Sequence, residues 1–367
     1  MSQQSATDDS PGPGRTFRVV QWATGNIGLR SLRCVIEHPH MSLVGLYVHS
    51  DAKAGRDAGE LCGLGRLGIA ATRDIEAIVA LKADCVLYMQ QGVDLDDICR
   101  LLSSGANIVT TRGEFQNPAT LDSAVRKRVE DACHRGGASI HCTGSSPGFI
   151  TEALPLVLTS LQRRLDCCRI SEYANLSSRN SPDMLFNVMG FGRPRNPNLD
   201  NGRAQHLREA FGPSMRLMAD ALKLPLDNIE AAAEVATVRQ TTRIAAGVLE
   251  ADTVAAQRTT LTGMHRGKPM VIFTAHWYCA TDIDADWVLR ANGWHVTVEG
   301  DTPLEVSIGF PVAPEHWAAV SPGLTAHRAI NAVPYVCAAP PGIRTTIDLP
   351  QIIADLSRTA LDFGAAV

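Results

Sequence analysis

The stretch Phe17-Arg18-Val19-Val20-Gln21-Trp22-Ala23-Thr24-Gly25-Asn26-Ile27-Gly28 decides the fold. Its first five residues form a short, mostly apolar run suited to a buried strand. After the glycines, Leu29, Leu32, Val35 and Ile36 recur at helical spacing, and His38-Pro39 stops that helix. A glycine-rich turn therefore sits where a first strand meets a first helix. A backbone without Cβ can approach a pyrophosphate closely there, and the helix N-terminus offers unpaired N–H groups and the positive end of its dipole. The usual first glycine of such turns is missing, and Ala23 or Trp22 falls in its region. The context still reads as a dinucleotide cradle, with Thr24, Gly25, Asn26 and Ile27 as the cofactor contacts.

Working outward, strands are expected at 43–48, 85–89, 107–110 and 139–142, and helices at 74–81, 95–102 and 121–133. Alternation with short connections argues a parallel sheet covered on both faces. Beyond Gly148 the pattern changes. A long helix is expected over 150–165 and a strand over 169–176. Helical segments follow near 204–211 and 214–222, then strands at 234–243, 254–265, 270–279, 295–299 and 304–308. Arg266-Gly267-Lys268-Pro269 reads as a hairpin loop, so this second sheet is mostly antiparallel. A helix at 324–332 closes the pattern. The fold class is α/β: an N-terminal Rossmann-type parallel sheet with a second α+β domain.

Composition narrows the function. A chain of 367 residues, 45% hydrophobic and 20% charged, suits a globular protein of about two domains. A formal net charge of −4 gives no basic field for nucleic acid or an anionic membrane, and no apolar run approaches a membrane span. Residues 1–14 read as a polar, disordered arm without the features of a signal peptide. Ten irregularly spaced cysteines with no C-x-x-C pair read as reduced thiols in a cytoplasmic protein, not as zinc ligands, and no metal is expected.

The residues after the second strand bear on cofactor choice. NAD enzymes place an acidic residue there for the ribose hydroxyls. Here His49-Ser50-Asp51-Ala52-Lys53 stands. Ser50 and Lys53, with Arg56 in reserve, suit a 2′-phosphate, whereas Asp51 suits a ribose. NADP is therefore preferred and NAD remains open. Gln90, Gln91 and Gly92 end the strand at 85–89 and pass near the cofactor ribose.

The segment 19–28 and the pattern His49-Ser50-x-x-Lys53-x-Gly55-x-Asp57-x-Gly59 resemble the dihydrodipicolinate reductase-like superfamily. They are most similar to its branch containing 2,4-diaminopentanoate dehydrogenase and the native amine dehydrogenases. Thr143-Gly144-Ser145-Ser146-Pro147-Gly148-Phe149 and Asn331-Ala332-Val333-Pro334 continue the likeness over nearly the whole chain. The His-His pair and the Lys-x-Asp-x-Pro-Ser-Gly-Thr stretch of true dihydrodipicolinate reductases are missing, which argues against lysine biosynthesis. The resemblance implies a nucleotide domain over 15–148 completed by 320–367. A mixed-sheet domain over 149–319 would bind substrate and build an oligomer interface, here a homodimer. It also implies reversible reaction of an amine with a carbonyl and ammonia, using NAD(P).

That chemistry needs a carboxylate to accept hydrogen bonds from ammonium and to stabilise an iminium. Glu114, in the loop after the strand at 107–110, is the catalytic candidate; a surface pair with Arg112 is the bland alternative. Gly144 and Asn331 complete the cofactor set, Asn331 reaching the carboxamide or capping a helix. Tyr173 and Asn175 share a strand face and line the substrate cavity. Phe149, Met184, Phe186 and Trp277 are its apolar walls, or core. His276 is a polar contact or a satisfied strand histidine, and Thr325 lies on the returning helix. Arg179, Arg193 and Arg195 form no evident clamp for a substrate carboxylate, so a small ketone or aldehyde without one is favoured. The competing readings are an NADP-dependent imine, diamino-acid or other carbonyl oxidoreductase, and a non-catalytic NADP-sensing regulator.

Overall fold

The structure, a computed structural model, describes residues 15–356. The arm expected over 1–14 lies outside the described residues. The chain divides into two compact units, one running to Ser145 and resuming at Pro322, the other spanning Ser146–Ser321.

The first unit opens with β1 (Phe17–Trp22), α1 (Asn26–Glu37), β2 (Met41–Tyr47), α2 (Ala58–Cys62), β3 (Ala71–Thr72) and α3 (Ile75–Ala80). It continues through β4 (Cys85–Tyr88), α4 (Leu95–Ser103), β5 (Asn107–Thr110), α5 (Ser123–Gly136) and β6 (Ser139–Cys142). The second unit holds α6 (Leu154–Thr159), β7 (Leu165–Asn175), α7 (Pro197–Ala221), β8 (Asn228–Thr237), β9 (Thr242–Ile244) and β10 (Gly247–Leu249). Then come β11 (Val254–His265), β12 (Lys268–Tyr278), β13 (Gly293–Gly300) and β14 (Leu304–Gly309). Helix α8 (Pro314–Ala338) and β15 (Gly342–Arg344) follow, the residues from Pro322 belonging to the first unit.

The first sheet runs β15-β6-β5-β4-β1-β2-β3, and every pairing is parallel. Strands buried on both faces need apolar residues at successive positions, and β4 supplies Cys85-Val86-Leu87-Tyr88, all buried. Val86 and Tyr88 pack with Ile98 and Leu102 of α4 and Val129 of α5. Cys85 and Leu87 pack with Leu32 of α1 and with Ala329, Val333 and Val336 of α8. The order reverses direction between β1 and β4, the crevice where such sheets take ligands at their carboxyl ends. Strand β3, only two residues at the sheet edge, has no counterpart in the sequence reading.

The second sheet runs β14-β13-β7-β12-β11-β8, antiparallel except for the β7–β12 pair. Helix α7 covers one face, with Phe211 stacked on Phe273 at 4.3 Å. The other face carries half-exposed Ser171, Thr260, Thr262, Thr274 and Thr297. His265 pairs with Lys268, so Arg266-Gly267 forms a two-residue hairpin turn with both φ angles positive. The helix expected over 150–165 is shorter. The chain is π-helical up to Ala153, after non-helical Ser146, Pro147 and Gly148, regular α-helix holds only over Leu154–Thr159, and β7 has begun by Leu165. Conversely, the two segments expected near 204–222 are one 25-residue helix that tolerates Pro213.

Each unit buries one neutral histidine. His141, on β6, bonds the Arg344 carbonyl through Nδ1 at 2.8 Å, and its Nε2 has no partner. Burial pushes its pKa down to about 4. His276, on β12, is likewise pushed down to about 4 by burial, with Arg258 adding to the effect, and its Nδ1 has no partner. Cys62, Cys85, Cys99, Cys133, Cys167, Cys168, Cys279 and Cys337 are free thiols. No group of three or more His, Cys, Asp or Glu among the described residues could hold a metal ion, and no helix among them is long and apolar enough to cross a membrane.

Candidate functional site

The glycine turn is shaped by the main chain. Ala23 stands at φ +70°, a left-handed conformation that a glycine adopts without cost. The buried side chain of Gln21 holds it there: Nε2 donates to the Ala23 carbonyl at 2.9 Å, and Oε1 accepts from Ser31 of α1 at 2.7 Å. A Cβ on Gly28 would meet the Ala23 carbonyl oxygen at 2.3 Å, so only glycine lets α1 start so close to β1. Nothing lies within 4 Å of a Cβ built on Gly25, where the turn is open.

Helix starts in this unit differ in one respect. Asp57, Asp74, Asp94 and Asp122 cap α2 to α5, each carboxylate accepting backbone N–H groups. Helix α1 begins at Gly25 with no side-chain cap and no acidic residue in its first turn. Its first N–H groups are left for an anion, which is what a dinucleotide pyrophosphate requires. The residues present fit the group: Thr24, Gly25, Asn26 and Ile27 surround this open N-terminus.

Around the turn, Trp22 stacks on Tyr47 at 3.6 Å and on Tyr88 at 5.7 Å, with His49 edge-on to both Trp22 and Tyr47. Gln90 accepts the Trp22 indole N–H at 2.8 Å, which fixes this aromatic layer; Gln91 is exposed. Lys53 donates through Nζ to Thr24 Oγ1 at 3.0 Å and to the Thr24 carbonyl at 3.1 Å, placing a cation beside the turn. Asp51 is engaged by Arg73 in an exposed ion pair, and Ser50 is exposed beside it. Asp57, in the same motif, is structural. It accepts from Gly59, Glu60, Leu67 and Gly68, and these backbone bonds hold its carboxyl below the usual range.

Glu114 follows β5 in a single 3₁₀ turn, Gly113–Phe115, anchored by buried Phe115. Its carboxylate pairs with Arg112 at 3.0 Å yet stays 44% exposed. Near it in sequence, Asn117 Nδ2 and Arg112 Nε are buried without partners, as is Thr143 Oγ1 at the end of β6. Such orphaned polar atoms at the carboxyl ends of β5 and β6 are what a polar ligand would satisfy. Gly144 is buried in the same segment, and Thr325 of α8 bonds the next residue, Ser145 Oγ, at 2.8 Å. Asn331 lies half-buried two turns further along α8. The orphaned atoms were not legible from sequence, because each is defined by the partner it lacks.

In the second unit, the sheet divides the residues expected to line one cavity. Tyr173 and His276 stack at 4.7 Å on one face, with Arg290 over the Tyr173 ring. Asn175 is spent on the backbone: its Oδ1 accepts from Ser177 N, and its own N–H donates to Asn292. Trp277, next to His276 in β12, faces the opposite side. There its indole donates to Glu172 Oε1 at 3.0 Å, and the Trp294 indole donates to Glu172 Oε2 at 3.0 Å. Phe149 lies against Trp294 at 6.2 Å. Phe186 and Trp277 each pack against the apolar cluster that holds Leu185, Phe191 and Tyr278, and Met184 is half-buried in the same turn of chain as Phe186. Glu172 carries no functional signature in the sequence, where it is only the strand neighbour of Tyr173.

Two of the arginines at 179, 193 and 195 have other duties: Arg195 pairs with Asp284, and Arg193 reaches the carbonyl and side chain of Asn187.

Comparison with known proteins adds a lineage to this geometry. The family model of the 2,4-diaminopentanoate dehydrogenase C-terminal domain matches residues 199–361. A curated amine dehydrogenase of Streptomyces virginiae is 31% identical over 347 residues, covering 90% of this chain and 95% of its own. The structure of an amine dehydrogenase from Mycobacterium smegmatis superposes with a TM-score of 0.75 at 20% identity, covering 93% of this chain and 98% of that one, and so shares the fold. This chain belongs to the amine dehydrogenase and 2,4-diaminopentanoate dehydrogenase-like branch of the dihydrodipicolinate reductase-like superfamily and is an NAD(P)-dependent oxidoreductase.

Proposed function

We propose that the protein catalyses reversible reductive amination of a ketone or aldehyde lacking an α-carboxylate, joining it with ammonia to give a primary amine. The observation that carries this reading is Glu114. It is a half-exposed carboxylate on a turn anchored by buried Phe115 after β5, close in sequence to polar atoms of Arg112 and Asn117 that lack partners. A nicotinamide cofactor held by the first unit would supply or accept the hydride. The chain's own residues do the rest. The α1 N-terminus and Lys53 hold phosphate charge. Glu114 accepts one proton from ammonium, orients the resulting ammonia toward the carbonyl carbon, returns the proton to the hydroxyl that leaves as water, and, again a carboxylate, offsets the iminium charge. Arg112 fixes its position. The engagement of Arg193 and Arg195 elsewhere supports a substrate without a carboxylate to clamp.

NADP is the preferred cofactor in this reading. Asp51, the residue that would take a ribose hydroxyl, is paired with Arg73, whereas Lys53 stands at the turn. The half-exposed, threonine-rich sheet face of the second unit supports a homodimer. Sedimentation showing only the 39.4 kDa chain would exclude it. The deciding experiment is NADPH oxidation across a carbonyl panel with and without ammonia. Ammonia-dependent oxidation supports the reading, and equal rates without ammonia would replace it with alcohol formation.

A further inference from the structure

Glu172 has an unusual pair of partners. It lies in β7 directly opposite Trp294 of β13, with Ala275 opposite it on β12. Both of its oxygens accept indole N–H groups, one from Trp277 and one from Trp294, each at 3.0 Å. The carboxylate is half-buried, and among the described residues no lysine, arginine or histidine pairs with it. The flanking rings continue outward: Phe149 sits against Trp294, and Phe310 meets Trp294 edge-on at 5.0 Å. The nearby arginines stand elsewhere, Arg258 over Trp287 and Arg290 over Tyr173 on the other face.

Neutral indole donors orient a carboxylate but leave its charge in place. A carboxylate has about four lone-pair sites, and the two indoles use two of them. An uncompensated charge among aromatic rings is costly, and a cation relieves that cost. Indole is also the best aromatic partner for an ammonium. Ala275 opposite Glu172 and Ala174 two residues on are small, so on that side of the carboxylate the strands carry little side-chain bulk.

We propose that Glu172, braced by Trp277 and Trp294, is a binding subsite for a primary alkylammonium ion, assembled by the second unit alone. The carboxylate takes the NH₃⁺ head, and the faces of the neighbouring rings take the alkyl chain. The proposal rests on the amine dehydrogenase reading only for which amine occupies the subsite physiologically. Binding is measured without cofactor or turnover, so the two readings fail separately.

The test uses the full chain at neutral pH, where n-butylamine is protonated as a lysine side chain is. n-Butylammonium chloride is titrated while tryptophan emission is followed. Only five tryptophans contribute, and two of them touch Glu172. A saturable change is expected, with n-butanol and ammonium chloride each binding about tenfold or more weakly. Binding persists in Glu114→Gln, because that residue is not part of the subsite. Glu172→Gln keeps the size but lowers affinity about tenfold or more. Should Glu172→Gln fail to fold by circular dichroism, Trp294→Phe keeps a ring and the charge; it retains butylammonium binding with a smaller emission change. The proposal is overturned by no saturable response in the parent chain, by equal affinity for butanol or ammonium, by undiminished binding in folded Glu172→Gln, or by loss of binding in Trp294→Phe or Glu114→Gln. A carboxylate that only clips two indoles together gives the first of these outcomes.

Discussion

The two units build their sites from different materials. In the first, the cradle is main chain: the uncapped start of α1, the left-handed Ala23 and the close approach at Gly28. In the second, everything depends on side chains meeting across strands, such as Glu172 with indoles 105 and 122 positions away in sequence. A main-chain site must be contiguous, so its parts appear side by side in the sequence. A side-chain site is defined by strand register, and its parts are scattered.

Glu114→Gln tests this contrast most severely. It changes a side chain outside the main-chain cradle, so NADPH affinity should hold while ammonia-dependent turnover falls by about 10²- to 10⁴-fold. Steady-state rates alongside NADPH fluorescence titration check it. A matching loss of NADPH binding would break the distinction, and a near-parental rate would remove Glu114 from the reaction.

Acid compares the units next. His141 and His276 have folded pKa values pushed down to about 4 from an ordinary 6.5. Between those values the unfolded chain binds more protons. Each histidine's contribution is therefore intact above pH 6.5, is lost progressively as pH falls toward 4, and stays lost below. The loss is about 3 kcal/mol per histidine. Urea midpoints measured across that window should fall with pH, and less steeply in His141→Gln and in His276→Gln. Midpoints indifferent to pH would contradict the buried neutral state.

Lys53→Ala sharpens the comparison within the first unit, since it removes a side chain that tunes a main-chain cradle. NADPH should bind more weakly by about 1.5–3 kcal/mol, with a much smaller change for NADH. Equal losses, read by isothermal titration, would assign Lys53 to bracing Thr24. The smallest effect, and one of opposite sign, is Ala23→Gly. Relief of the left-handed alanine should add about 1 kcal/mol, offset in part by the freer unfolded chain. A lowered melting temperature would show that the Gln21 bracket already absorbs the strain.

These contrasts explain what the sequence disclosed. Gly25, Gly28 and the apolar run of β1 announced a parallel nucleotide-binding sheet because each acts on its immediate neighbours. The motif from His49 to Gly59 was equally visible, although the roles inside it differ: Asp57 holds a loop together, and Gly59 is required because a Cβ there would strike the Gly65 carbonyl at 1.9 Å. Less came through where tertiary packing overruled local pattern. Gly212-Pro213 reads as a break, yet α7 continues through it, with Phe211 and Met215 buried on either side. Residues 150–165 carry apolar helical spacing, but regular α-helix covers only Leu154–Thr159 of them, and Leu165 already belongs to β7. The division of His276 from Trp277 follows from β-strand alternation. Which face holds the carboxylate depends on register with β7 and β13, and local pattern does not encode that.

The buried thiols give the two-unit plan a practical consequence. Cys85, Cys99 and Cys133 lie in the first unit, and Cys167, Cys168 and Cys279 in the second, and burial raises the pKa of every one. Only the thiolate attacks an alkylating reagent, so these positions stay silent while their surroundings are closed. Each becomes reactive when the segment around it opens. The chain thus carries an internal clock for breathing motions: pulsed alkylation followed by peptide mapping would time the fluctuations of each unit separately, with no probe introduced and no residue replaced.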